Sequence, residues 1–153
     1  MKSRMERHLC TLSINTYLQT NRPYTIPARP AGNFRVFPQL TTDYFVKQGE
    51  KSFPAMADNL KSGKNVVETL YILDRIQENK TGDTAKLYPE LSRYNKTKNP
   101  EIQTFLAGIY RKTQIPDAFG PLVAMLIQNS LNPPKTYFDP NEEIGGAIVS
   151  YFK

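Results

Sequence analysis

Cysteine and histidine, two residues common in nucleophilic catalysis, each occur once in this chain, as Cys10 and His8. If they lie on a strand, two positions apart, their side chains point to the same side. A thiol needs such a neighbouring base to act as a nucleophile. The simpler interpretation is a small buried cysteine. We therefore predict no catalytic residue, and a thiol hydrolase built on Cys10 and His8 is the third-ranked hypothesis.

Metal and cofactor binding also have little support in the sequence. A single cysteine excludes an intramolecular disulfide and a zinc site built on paired cysteines. The acidic group Asp139, Glu142 and Glu143 could hold a hard cation, but loop acids of this kind are usually solvated. The eight glycines form neither of the glycine-rich patterns that cradle phosphates. The sequence predicts no metal and no cofactor.

The clearest chemical signal is a cluster of cations around an aromatic ring. Residues 93–98 read Arg-Tyr-Asn-Lys-Thr-Lys, and two more cations follow at the far end of the next predicted helix. Lys and Arg contact phosphates, and Tyr can stack on an unpaired base. We predict a site for single-stranded nucleic acid made of Arg93, Tyr94, Lys96, Lys98, Arg111 and Lys112. The alternative is a solvated loop whose charge only keeps the protein soluble.

The net charge of +6 is unevenly distributed along the chain. Residues 1–51 carry eight Lys or Arg against three Asp or Glu, residues 52–113 ten against seven, and residues 114–153 two against four. The three parts therefore have net charges of +5, +3 and −2. A basic surface attracts nucleic acid, an anionic membrane or an acidic protein. A basic protein with no polyanionic partner is the alternative.

The N-terminal third is punctuated by prolines, which favour an extended backbone and remove hydrogen-bond donors. No regular helix fits residues 21–40, and a short strand is predicted at 33–37. Arginines and aromatic rings alternate with the prolines, as in straps that dock on a neighbour with little loss of entropy. We predict a partner-binding arm that uses Arg22, Arg29, Phe34, Arg35 and Phe37. The alternative is a strap that packs on its own domain.

Helical periodicity dominates residues 52–131. Helices are predicted over 52–62, 66–79, 84–94 (with a kink at Pro89), 100–115 and 118–131. The last is apolar almost all round, which is typical of a helix at the centre of a core or in an oligomer interface. The apolar faces should meet in one cluster that contains Leu70, Leu73, Leu106, Leu122 and Leu126.

Both ends of the chain favour strands. Residues 8–18 alternate apolar and polar side chains, and residues 147–152 combine high β-propensity with no charge. The predicted organisation is an N-terminal strand and extended basic arm over 1–51, a helical domain over 52–131 and a C-terminal β tail over 132–153. The predicted class is mainly α, with three to five helices, a Pro-rich arm and a short β tail; an α+β arrangement stays open.

Together these features predict a non-enzymatic structural or adaptor subunit of a larger assembly that contains nucleic acid, such as a virion or a ribonucleoprotein. Its expected partners are proteins of that assembly, single-stranded nucleic acid and further copies of itself in a homo-oligomer. The alternative is a stand-alone regulator or inhibitor of another macromolecule. No segment is long and apolar enough for a membrane span, and no secretory signal is recognised. We therefore expect an intracellular protein, in the cytoplasm, a virion or an organelle, that is not secreted.

Overall fold

The computed structural model describes residues 39–135 and 139–153, together with the backbone of two short strands. These strands, Tyr24–Thr25 (β1) and Arg35–Val36 (β2), pair antiparallel, and β2 falls within the strand predicted at 33–37. Helices make up 78% of the described residues, which confirms a mainly α fold. The strand predicted at 8–18 lies outside the described residues, as do four residues of the predicted arm: Arg22, Arg29, Phe34 and Phe37.

Within the described ranges, six helices of ten residues or more form the body of the protein. They are α1 (Gln39–Gln48), α2 (Phe53–Ser62), α3 (Val66–Glu78), α4 (Pro100–Thr113), α5 (Phe119–Leu131) and α6 (Asn141–Ser150). Between α3 and α4 the chain makes three short helical turns, at Thr84–Leu87, Tyr88–Leu91 and Ser92–Tyr94. The helix count exceeds the predicted three to five because α1 and α6 lie outside residues 52–131.

The start of α4 shows how local sequence sets a helix boundary. The side-chain oxygen of Asn99 accepts hydrogen bonds from the backbone N–H groups of Glu101 (2.9 Å) and Ile102 (3.4 Å). Pro100 takes the first helical position, where no backbone N–H is needed. The helix therefore begins where the sequence predicts it, and the loop that precedes it ends at a defined point.

The core lies along α3 and α4, which pack against each other. α1 and α2 pack on α3, whereas α6 packs on α4 and α5 packs on α6. Four of the five leucines predicted to meet are fully buried in one cluster: Leu70, Leu73, Leu106 and Leu122. The fifth, Leu126, packs only against the edge of that cluster, because the buried face of α5 is the one that carries Met125 and Asn129.

The predicted C-terminal β tail is wrong, because residues 141–150 form α6. Ile144 and Ala147 lie three positions apart on one face of this helix, and both are fully buried. Glu143 adds an ion pair to Arg111 of α4, with 3.0 Å between Oε1 and Nη2. Packing against α4 and α5 thus overrides the local β-propensity of this segment.

α1 begins at Gln39, inside the segment predicted as an extended arm. Thr42 and Phe45 are buried three positions apart, so one face of this helix enters the core. No proline occurs between residues 39 and 53, and the first glycine, Gly49, lies just past the end of α1. The helical body therefore starts before residue 52, and residues 39–51 are not extended.

Candidate polyanion-binding site

The candidate site is the basic loop, residues 92–98, which leads into α4. Its first anchor is Tyr94, whose hydroxyl donates a hydrogen bond to the carbonyl oxygen of Leu60 (2.6 Å). Leu60 lies near the end of α2, 34 residues earlier in the chain. This bond ties the basic loop to the C-terminal end of α2.

Two further anchors tie the basic loop to α4. The side-chain oxygen of Asn95 accepts a hydrogen bond from the Tyr110 hydroxyl (2.6 Å), and the carbonyl oxygen of Thr97 accepts one from the Gln103 side-chain amide (2.8 Å). Tyr110 and Gln103 are themselves buried in the body of the protein. The loop is thus held at three points, two through side chains and one through its backbone, by partners that core packing already fixes.

A buried pair of amides extends this network to the other side of α4. Gln103 and Asn129 exchange two hydrogen bonds, with N–O distances of 3.3 and 2.8 Å. The Asn129 amide also donates to the side-chain oxygen of Asn141, at the start of α6 (3.0 Å). The same chain of hydrogen bonds therefore connects the basic loop with α4, α5 and α6.

The three cations of the basic loop are exposed, in contrast to these anchors. Arg93, Lys96 and Lys98 face solvent, and within residues 39–135 and 139–153 none of them makes an ion pair. Because the loop that carries them is anchored, the backbone loses little conformational entropy when a ligand binds, and the entropy cost is confined to the Lys and Arg side chains. The structure therefore brings half of the predicted nucleic-acid site together as an exposed, positively charged surface.

The structure gives Tyr94 an anchoring contact that the sequence did not predict. Its ring packs against the core, and its hydroxyl is bonded to Leu60. Burial raises the pKa of the Tyr94 phenol above its ordinary value, an effect that the neighbouring Arg93 charge partly opposes. A ring held in this way anchors the loop, and its partial burial leaves a smaller surface on which an unpaired base could stack.

Arg111 and Lys112 lie in the last turn of α4, and both make ion pairs. Arg111 pairs with Glu143, and the Lys112 ammonium nitrogen lies 2.6 Å from a carboxylate oxygen of Asp74. These ion pairs fasten α4 to α6 and to α3. Arg111 and Lys112 are therefore engaged in ion pairs within the described fold, in contrast to Arg93, Lys96 and Lys98.

Two cations beside the basic loop were missed by the sequence analysis. Lys61 and Lys64 lie at the end of α2, which the Tyr94 hydrogen bond holds against the loop, and both are exposed. Lys61 makes a long ion pair with Glu90 (3.7 Å), and pairs of this kind contribute little energy. No local pattern could have revealed this neighbourhood, because it depends on a contact between segments far apart in the chain.

Other kinds of site find no support in the part of the chain that the structure describes. There, no group of three His, Cys, Asp or Glu residues could hold a metal ion. None of the helices found there has the length and apolar character needed to cross a lipid bilayer. His8 and Cys10 lie outside the described residues, so the thiol-hydrolase hypothesis stays a prediction.

Comparison with known proteins finds no match to this chain among protein-family models, curated proteins or solved structures. The basic loop combines exposed cations with buried or partly buried anchors, and such a surface can bind an anion without any covalent chemistry.

Proposed function

We propose that this protein is a non-enzymatic structural or adaptor subunit of an assembly that contains nucleic acid, and that the basic loop contacts the phosphate backbone. The observation that carries the proposal is the arrangement of Arg93, Lys96 and Lys98 on a backbone held by three buried or partly buried anchors. Lys61 and Lys64 widen the positive surface on the α2 side. Fixed cations of this kind are suited to a ligand with regularly spaced charges.

Phosphate contacts are the expected mode of binding. Arg93 can donate two hydrogen bonds to one phosphate, whereas Lys96 and Lys98 act as point charges. Each neutralised phosphate releases counterions, so the logarithm of the association constant falls with the logarithm of salt by about 0.9 per contact on duplex DNA and about 0.7 on single strands. Three contacts predict a slope of about −2 to −3. Because Tyr94 is an anchor, little preference for single strands over duplexes is expected.

Fluorescence anisotropy with labelled single-stranded RNA and duplex DNA, over a range of salt concentrations, tests this proposal. The variant Lys96→Gln/Lys98→Gln removes two charges from the loop and leaves its anchors intact. It should weaken binding and flatten the salt slope by about 1.4–1.8 units on the two ligands.

The matched control, Lys47→Gln/Lys80→Asn, removes two exposed charges near the C-terminal end of α3, whereas the basic loop lies by the end of α2, just before α3 begins. Lys80 directly follows α3, and Lys47 lies near it because the turn after α3 contacts Gly49, just after α1. Asn suits position 80, where φ is 58°. This control should leave the salt slope unchanged. Equal losses in both variants, or no binding by the wild type at low salt, would overturn the proposal and assign the loop cations to an acidic protein partner or to solubility.

A further inference from the structure

One side of α5 is exposed along the length of the helix. Four residues on it, at spacings of four, three and four, face solvent: Gly120, Ala124, Ile127 and Leu131. At about 100° per residue, these positions fall within about 60° of one another around the helix axis, so they form a single stripe. The buried residues of α5, Leu122, Met125 and Asn129, lie on the opposite side. We call the four exposed residues the α5 stripe.

The α5 stripe is apolar although it faces solvent. Ile127 and Leu131 are 54% and 73% exposed, and α5 carries no charged residue. A surface helix usually places polar residues on its outer side, but here the exposed Gln128 and Ser130 lie to either side of the stripe. Apolar residues at alternating spacings of four and three, with polar residues at the rim, are typical of a helix that packs against a second helix.

The residues of the α5 stripe increase in size along the helix. Gly120 and Ala124, in the N-terminal half, are small, whereas Ile127 and Leu131, in the C-terminal half, are large. A Cβ added at Gly120 meets no atom within 4 Å, so a side chain of another molecule has room there. When two such helices pack antiparallel, the small half of each lies against the large half of the other. The α5 stripe is therefore complementary in shape to a second copy of itself.

One register gives this complementarity along the whole stripe. With a two-fold axis between residues 125 and 126, position 120 lies opposite position 131 of the second copy, and position 124 lies opposite position 127. The same register brings Asp117, just before α5, towards Lys135 of the second copy, just after α5. Both residues are exposed. Their opposite charges favour the antiparallel arrangement, whereas a parallel pair would place like charges together.

We propose that two copies of this chain associate through their α5 stripes as an antiparallel, two-fold symmetric dimer. The contact follows a helix of 13 residues, which is about 20 Å long, so the interface is among the smaller ones that proteins form. A dissociation constant on the order of 10 μM is therefore expected. The contact does not involve the basic loop, and its test needs no nucleic acid.

Engineered disulfides test both the contact and its direction. In a Cys10→Ser background, which removes the single cysteine of the chain, Gly120→Cys and Leu131→Cys are made as separate full-length variants. They are mixed at about 50 μM, above the expected dissociation constant, in a glutathione redox buffer. The mixture should form a disulfide between positions 120 and 131, identified by peptide mass spectrometry, because the proposed register places these positions opposite each other.

Each cysteine variant alone is the control for direction. Two copies of the same cysteine would lie about 16 Å apart along the axis of the antiparallel pair, too far for a disulfide. The mixture should therefore give at least about fivefold more disulfide-linked dimer than either variant alone. If each variant cross-linked with itself and not with the other, the pair would be parallel and the proposed arrangement would be wrong.

Sedimentation velocity of the full-length protein, over about 1–200 μM, measures the affinity. Ile127→Asp should raise the dissociation constant at least about tenfold, because a dimer would bury an unpaired carboxylate. Tyr44→Asp is the matched control, since Tyr44 is 50% exposed on α1, and it should leave the affinity unchanged. Equal losses in both variants would assign the dimer to another surface. A wild type that stays monomeric at 200 μM and forms no 120–131 disulfide would overturn the proposal; the disulfide result does not depend on the folding of Ile127→Asp.

Discussion

Tyr110 is buried in the core and places its hydroxyl against the basic loop. Its side chain is fully buried, its ring lies 5.9 Å from that of Tyr88, and its hydroxyl donates to Asn95. Burial raises the pKa of the Tyr110 phenol far above its ordinary value, and the nearby Tyr88 and Tyr151 add to this effect. One side chain thus links the stability of the core to the position of the loop cations.

We expect Tyr110→Phe to lower the free energy of unfolding by about 0.5–1.5 kcal/mol, because it removes the hydrogen bond to the partly exposed Asn95 side chain. It should also weaken nucleic-acid binding, since the loop loses one of its three anchors. Urea denaturation and anisotropy measure the two effects. Tyr88→Phe is the control: its hydroxyl bonds to the Asp117 carbonyl at an exposed site, so a cost below about 0.5 kcal/mol is expected. Equal costs at the two positions would contradict this view.

The raised pKa of Tyr110 also predicts a pH dependence of stability. The unfolded phenol ionises near pH 10, whereas the folded one stays protonated to higher pH. Its contribution is therefore fully present below about pH 10, and above it falls by about 1.4 kcal/mol per pH unit. Urea unfolding at about pH 9 and about pH 11 should show the gap between wild type and Tyr110→Phe shrinking as pH rises. Lysine titration, common to both proteins, cancels; a constant gap would rule out the effect.

Among the elements, α5 had two open interpretations, a core helix or an interface helix, and the structure combines features of both. One side buries Leu122 and Met125, and the opposite side exposes Ile127 and Leu131. The polar residues of the helix, Gln128, Asn129 and Ser130, are consecutive and therefore do not distinguish the two sides. Only the neighbouring helices decide which side is buried.

This division predicts unequal costs for two similar substitutions in α5. Leu122→Ala should destabilise the protein by about 2–5 kcal/mol, because Leu122 is fully buried and its loss leaves a cavity. Leu126→Ala should cost about 1 kcal/mol, since Leu126 only packs against the edge of the core. Chemical denaturation of both variants measures the difference. If Leu126 proved the costlier position, the rotation of α5 described above would be wrong.

The helical nature of α6 can be tested at Gly145. A Cβ added there meets open space, so Gly145→Ala should stabilise the protein by about 0.5–1 kcal/mol through helix propensity. Gly49→Ala is the contrasting change: φ is +57°, and a Cβ would collide with the Thr81 carbonyl oxygen. It should destabilise by more than about 1 kcal/mol. Thermal denaturation gives both values. A loss of stability at Gly145 would favour a non-helical tail.

On the scale of the whole molecule, the periodic segments were the predictable part. α3, α4 and α5 lie within a few residues of the predicted helices, because α3 and α4 carry apolar stripes, α5 is apolar almost all round, and α4 also has the Asn99-Pro100 start signal. α1 and α6 were not predicted as helices, because their short apolar patterns become helical faces only through packing on α3 and on α4. The loop cations were found from composition, but the anchoring of Tyr94 and the pairing of Lys112 depend on partners 34 and 38 positions away.

We expect substitutions at the buried amides of Gln103 and Asn129, which link α4 with α5, to have coupled effects on stability. Asn129→Leu alone should cost about 2–4 kcal/mol, because the buried Gln103 amide loses its partner. Adding Gln103→Leu should recover about 1 kcal/mol or more of that cost, since the partly exposed Thr97 and Asn141 can turn to water. A double-mutant cycle measures this coupling. Strictly additive costs would show that the two amides do not act as a pair.

The separation of anchors from cations in the basic loop has a consequence for how this protein can change over evolutionary time. Tyr94, Asn95 and Thr97 attach the loop, whereas Arg93, Lys96 and Lys98 support nothing in the described fold. Mutations can therefore add, remove or invert each charge one at a time without passing through a misfolded intermediate. A lineage that kept the anchors could therefore change the ligand of the loop while the position of the loop stayed the same.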